Sequence, residues 1–169
     1  IDDTTEALRL APLVLVAGTT LMSTIVVFGN VTDPRSNLQF VERIMSMDST
    51  YRSPRLMWRA IRSATLHRIA FGFIVVLETL VAVSGWIGTL QLLANLDGSA
   101  DAWHDAKYWA IVALVLALVV WHLVFEVGGN EWFASWQSER WKANEQTSGI
   151  NLITIGALVL LAVVGCSVG

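Results

Sequence analysis

Cysteine is almost missing from this chain: Cys166 is the one example, so no internal disulfide can form and the redox compartment stays unread. Charge is also scarce. Asp, Glu, Lys and Arg make up 15% of the 169 residues, where a soluble domain carries about 25%. The net charge of −3 comes with no basic patch of the kind that grips nucleic acid. Three histidines and one cysteine give no cluster with zinc-like spacing. There is no nucleophile elbow, no glycine-rich phosphate loop and no HExxH pair. Inverted repeats with broken helices are missing too, which argues against a secondary transporter. The expectation is therefore a protein that is not an enzyme and binds no metal.

What the chain has instead is apolar length. Hydrophobic residues make up 54% of it and its mean hydropathy is +0.57. From Ile69 to Ala94 it carries one charged residue, Glu78. Roughly 20 apolar residues cross a bilayer core as a helix, so this stretch, bounded by His67 and Arg68 before it and Asn95 after it, reads as a span. Runs of similar character give an all-α, polytopic membrane protein with four transmembrane helices, at about 10–29, 66–95, 108–127 and 150–168. Pro12 is placed in the first turn of the first, where a helix tolerates it. Nothing before that run resembles a cationic leader or a cleavage site, so it reads as a permanent span rather than a signal peptide. Gly18, Thr19, Thr20, Ser23 and Thr24 form a small, weakly polar patch suited to close helix packing in lipid.

The connections carry most of the charge. Residues 36–63 show two helical stripes: Leu38, Val41, Ile44 and Met45, then Leu56, Met57, Ala60, Ile61 and Ala64 opposite Arg55, Arg59 and Arg62. Residues 131–143 follow Asn130, a good helix N-cap, and put Trp132, Trp136 and Arg140 at i, i+4 and i+8. Both stretches are expected as short interfacial helices: the first sets its apolar stripe against the cationic one, or docks that stripe on the protein's own spans or on a partner, and the second carries its two tryptophans and Arg140 on one face. With four spans, the first and third connections share one side of the membrane. That side holds nine Lys and Arg residues; the side with the termini and the acidic second connection holds two, Arg9 and Lys107. The positive-inside rule places the first and third connections in the cytoplasm of a bacterial inner membrane.

Three intramembrane polar residues could carry chemistry. Glu78 stands about twelve residues into its span, where a carboxylate costs roughly 2–3 kcal/mol on insertion scales. It is expected as a neutral acid bonded to a neighbouring helix, with proton relay or ligand contact as the functional alternative. His122 and Glu126 lie four apart and share a helical face. His67 and His122 enter from the same side, so together they offer axial ligands for a haem b, and His67, Trp58 and Arg59 could line a quinone site. Bound phospholipid is expected around the spans.

Two stretches resemble the hallmark of a bacterial family of small predicted integral membrane proteins catalogued as domain of unknown function 2165. The first is NVTD, SNLQFVERIMSMDST and MWRAI, between Asn30 and Ile61. The second is GGNEWFASWQSERW, Gly128–Trp141, followed by Asn144. The resemblance covers nearly the whole chain. It marks Asn30, Asp33, Asn37, Phe40, Met47, Asp48, Trp58, Arg59, His67, Glu78, Glu131, Trp132, Trp136, Gln137 and Trp141 as motif positions and implies no activity. Both motifs fall on one membrane side, where Trp58, Arg59, Trp132, Trp136, Arg140 and Trp141 would form an aromatic and cationic cap. Such residues dominate binding hot spots. The reading that follows is a non-catalytic accessory subunit of a larger membrane complex, respiratory or photosynthetic, whose partners are other integral membrane proteins. The alternative is a small haem b or quinone protein using His67 and His122.

Overall fold

Asp33 ends one helix and begins the next. Its Oδ1 accepts the backbone N–H of Ser36 at 3.4 Å, its Oδ2 accepts the Ser36 hydroxyl at 2.6 Å, and Pro34 supplies the preset backbone of a first helical turn. The chain thus breaks sharply between α1 (Asp3–Thr32) and α2 (Pro34–Ser46). A computed structural model describes residues 3–164, apart from the side chains of Asp3 and residues 144–146. After α2 come a single 3₁₀ turn at Met57–Arg59, α3 (Ala64–Ala94, capped by Ser63), α4 (Ala100–Ala106, capped by Ser99) and α5 (Tyr108–Leu118). A π-helical segment, Val119–Trp132, continues α5; a 3₁₀ turn at Ser135–Gln137 and α6 (Asn144–Val163) complete the described chain. No strand occurs among the described residues.

Among the described residues three helices are long and apolar enough to cross a membrane: Thr4–Thr32, Ala64–Ala94 and the continuous run Ala100–Trp132; Thr147–Val163 is a shorter apolar helix. Their outward faces are greasy from end to end. On α3 the exposed side chains include Leu66, Ile69, Phe73, Val76, Leu80, Val83, Leu90 and Leu93. The inward faces hold small and polar residues, among them Thr20, Ser23, Ser84 and Thr89. Apolar outside and small inside is the arrangement that lipid, rather than water, selects.

Two glycines set the helix spacing. A Cβ on Gly85 would lie 2.2 Å from the Thr20 hydroxyl of α1, and one on Gly88 would lie 2.3 Å from the backbone nitrogen of Ala110 in α5. The α3 helix therefore touches both neighbours at near-backbone distance. The small patch on α1 does face α3: Thr20 meets Gly85, and Trp86 donates its indole N–H to Thr24 at 3.0 Å. Gly18 is exposed.

Several sequence expectations need correction. Helix α1 begins at Asp3, so Pro12 lies inside it rather than in its first turn. The stripe from Leu56 to Ala64 forms one 3₁₀ turn and no longer helix, because Ser63 caps α3 and the preceding chain is drawn out to α2, where Ile61 donates its N–H to Met45 O at 2.8 Å. Residues 131–143 form no α-helix. The third apolar run passes through Gly128 and Gly129 to Trp132, so Asn130 lies inside it and caps nothing. The chain reverses at Ala134 in a left-handed conformation (φ 52°), and serine side chains replace helical bonds: Ser135 accepts from Ala143 N, Ser138 from Trp141 N. Residues 165–168 of the expected last span, and Cys166 with them, lie outside the described residues.

Candidate functional site

Glu78 sits halfway along α3 and is 2% exposed. Its Oε2 accepts the Asn30 side-chain amide at 2.5 Å. The pairs Thr20–Gly85, Thr24–Trp86 and Asn30–Glu78 fix an antiparallel register in which the middle of α3 is level with the end of α1. The N-terminal half of α3 therefore runs past α1 and is covered by α2. Glu78 stands beside the junction of α1 and α2.

A cavity of about 460 Å³ opens at this level. Asn30, Asn37, Glu78 and Thr147 are its polar lining, and Phe40, Phe71, Trp121 and Phe125 bring aromatic rings to it. A second, wholly apolar pocket of about 220 Å³ lies under α2 between Ile44, Met45, Ala70 and Phe133, and shares Phe40, Val41, Ile74 and Phe125 with the first. The π-helix forms one wall of both. Such segments are rare, mostly one turn long and frequent at functional sites; this one runs for 14 residues. Gly129 lets it pass close to the cap, since a Cβ there would lie 3.2 Å from Ala143 and 3.8 Å from Ile44.

Glu126 and His122 do not act as a pair. Glu126 accepts the Thr147 hydroxyl at 2.6 Å and the Asn130 amide at 3.3 Å, joining the π-helix to α6, while His122 is exposed on the outer face. His67 is buried, with Nε2 2.8 Å from Ile61 O. The two histidines named as haem ligands thus occupy opposite environments. Thr147 carried no signal in the sequence: a threonine before an apolar run looks like any helix start. Asn30 was visible as a motif position, but its partnership with Glu78 depends on the α1–α2 break.

The first and third connections are fastened to each other. Trp58 and Trp132 stack edge to face at 5.7 Å, with the Arg59 guanidinium 4.9 Å above Trp132 and 5.6 Å from Trp58. Tyr51 meets Trp136 edge-on at 6.3 Å, and its N–H reaches Gln137 Oε1 at 3.1 Å. Ser49 and Ser138 share a 2.9 Å hydrogen bond. Phe40 packs on Trp141 at 6.1 Å, and the Arg140 guanidinium lies over the Trp141 ring at 5.2 Å. Trp132, Trp136 and Arg140 therefore head three separate contacts instead of one helix face. Tyr51 is 75% exposed and Trp58 70%, so their outer faces remain open. Arg35, Arg43, Arg52, Arg55, Arg62, Arg68 and Arg140 are exposed on this end, Arg43 paired with Asp48. The Ser36 hydroxyl, then its backbone N–H, hold the Asp33 carboxyl below the usual carboxylate range.

The opposite end treats its cations differently. Arg9 is buried against the fully buried Trp103 ring at 5.1 Å and donates to Leu96 O and Gly98 O. Lys107, also buried, donates to Val164 O at 2.6 Å.

Residues 8–164 match the family described as predicted small integral membrane protein (DUF2165). No curated protein and no solved structure matches the chain. The match takes in both sequence motifs, the Asn30–Glu78 pair and the aromatic cap, and the chain belongs to the DUF2165 family of predicted small integral membrane proteins.

Proposed function

We propose that this protein is a non-catalytic accessory subunit of a larger bacterial membrane complex, with a respiratory or photosynthetic assembly as its host. In this reading α6 is a fourth, short crossing: its apolar part, Thr147–Val163, gives about 25 Å at 1.5 Å per residue, near the lower limit for a span. The cap then lies at the cytoplasmic face of an inner membrane. The partner is another integral membrane protein that presents an acidic and aromatic surface at headgroup level.

One observation carries the reading: the cap is pre-organised yet open. Ring stacking and the Arg59 clamp hold Trp58, Trp132 and Trp136 in place, while all three remain exposed. Rings already fixed lose little entropy on binding, and Trp, Tyr and Arg are the side chains that anchor interfaces. Phospholipid headgroups occupy what the partner leaves uncovered around the exposed arginines.

The test is purification of the full chain in mild detergent with identification of co-eluting membrane proteins. The same proteins should co-elute repeatedly, and should be lost when Trp58 and Trp136 are both changed to Ala. A chain that elutes alone, at the mass of one copy plus detergent, defeats the proposal.

A further inference from the structure

The cavity beside Glu78 has the size and lining of a ligand site, mostly apolar with a few placed polar groups. Its electrostatics are lopsided. Among the described residues no Lys, Arg or His bonds to Glu78, and no cation lines the cavity. A buried carboxylate without a counter-charge is costly. The asparagine amide offers it one hydrogen bond and no charge. Around the same space stand Phe40, Phe71, Trp121 and Phe125, and aromatic faces attract cations. The adjoining 220 Å³ pocket is apolar throughout and shares two of those rings, which provides room for a hydrocarbon chain next to the Glu78 carboxyl group.

We propose that this cavity binds a lipophilic ammonium ion, with its nitrogen beside Glu78 and among the four rings and its alkyl chain running under α2 into the apolar pocket. The ligand class is a protonated long-chain amine or a quaternary ammonium amphiphile. The assignment does not require the docking role.

The test uses the full-length protein in uncharged maltoside micelles and octyltrimethylammonium as the probe, with octyl sulfate and 1-decanol as anionic and neutral comparators. Calorimetry should show the cation binding at least about tenfold more tightly than either comparator. Glu78→Gln keeps a carbonyl acceptor for the Asn30 amide and should lose that preference. Gly29→Leu provides a second variant that leaves Glu78 intact: Gly29 lines the cavity, and a Cβ there meets nothing within 4 Å. The added side chain should weaken the cation at least about tenfold by occupying the room. Equal binding of cation and decanol, unchanged cation binding in Glu78→Gln, or tighter binding of a neutral short-chain benzoquinone would each overturn the assignment.

Discussion

At the scale of single residues, the decisive pair is Asn30 and Glu78. Their 2.5 Å contact joins the end of α1 to the middle of α3, and both residues are buried. Asn30→Ala removes the donor and leaves the acid unsupported, so the protein should lose about 0.5–2 kcal/mol of stability, the range for interhelical hydrogen bonds in membranes. Thermal unfolding in a fixed detergent, against an exposed control such as Thr32→Ala, measures it. A second residue-scale expectation concerns pH. The Ser36 hydroxyl depresses the Asp33 pKa below 3.8, so the charged cap is complete above that value and is lost as pH falls through the lower folded value. Backbone amides at the start of α2 should keep their hydrogen-exchange protection down to about pH 4 and lose it only under stronger acid. Asp33→Ala should lose it at neutral pH.

Among the elements, α3 is the spine, and its two contact glycines make opposite demands from those on its open side. Gly88→Ala drives a methyl against the Ala110 backbone, which cannot swing aside, and should cost about 1–3 kcal/mol. Gly72→Ala adds a methyl into open space on the same helix and should be neutral or stabilising by up to about 1 kcal/mol, since alanine is the better helix former. Unfolding curves of the two variants side by side check the contrast. The long apolar runs and the stripe of α2 (Leu38, Val41, Ile44, Met45) were legible in the sequence, because run length and apolar spacing are local signals. The π-helix was not, since it has the composition of any apolar helix; its widening is set by what packs around it. Residues 131–143 misled for a related reason. Asn130, Trp132, Trp136 and Arg140 have helical spacing, yet the third apolar run overshoots Asn130, and Ser135 and Ser138 take up the backbone groups a helix would have bonded.

For the whole molecule, the division of charge between the two ends carries more information than the sequence count. Nine cations against two is a bias; the structure adds that the two are used up. Arg9 is enclosed by Trp103 and two backbone carbonyls, and Lys107 reaches Val164 O. Neither presents its charge to a lipid surface. At the cap end, by contrast, Arg35, Arg52, Arg55, Arg62 and Arg68 stand exposed, and exposed basic side chains are what an anionic lipid surface attracts. If the cap faces the cytoplasm, single cysteines should report it. With Cys166 replaced by Ser, Arg55→Cys on the cap should resist a membrane-impermeant maleimide applied to intact spheroplasts and react after lysis. Asp101→Cys, exposed at the start of α4 near the other end, should react before lysis. The reverse pattern would turn the molecule over and move any partner of the cap to the outer face. Reaction of both cysteines in intact cells would mean that the two ends share one side, which a bundle with α1, α3 and the Ala100–Trp132 run as crossings does not permit.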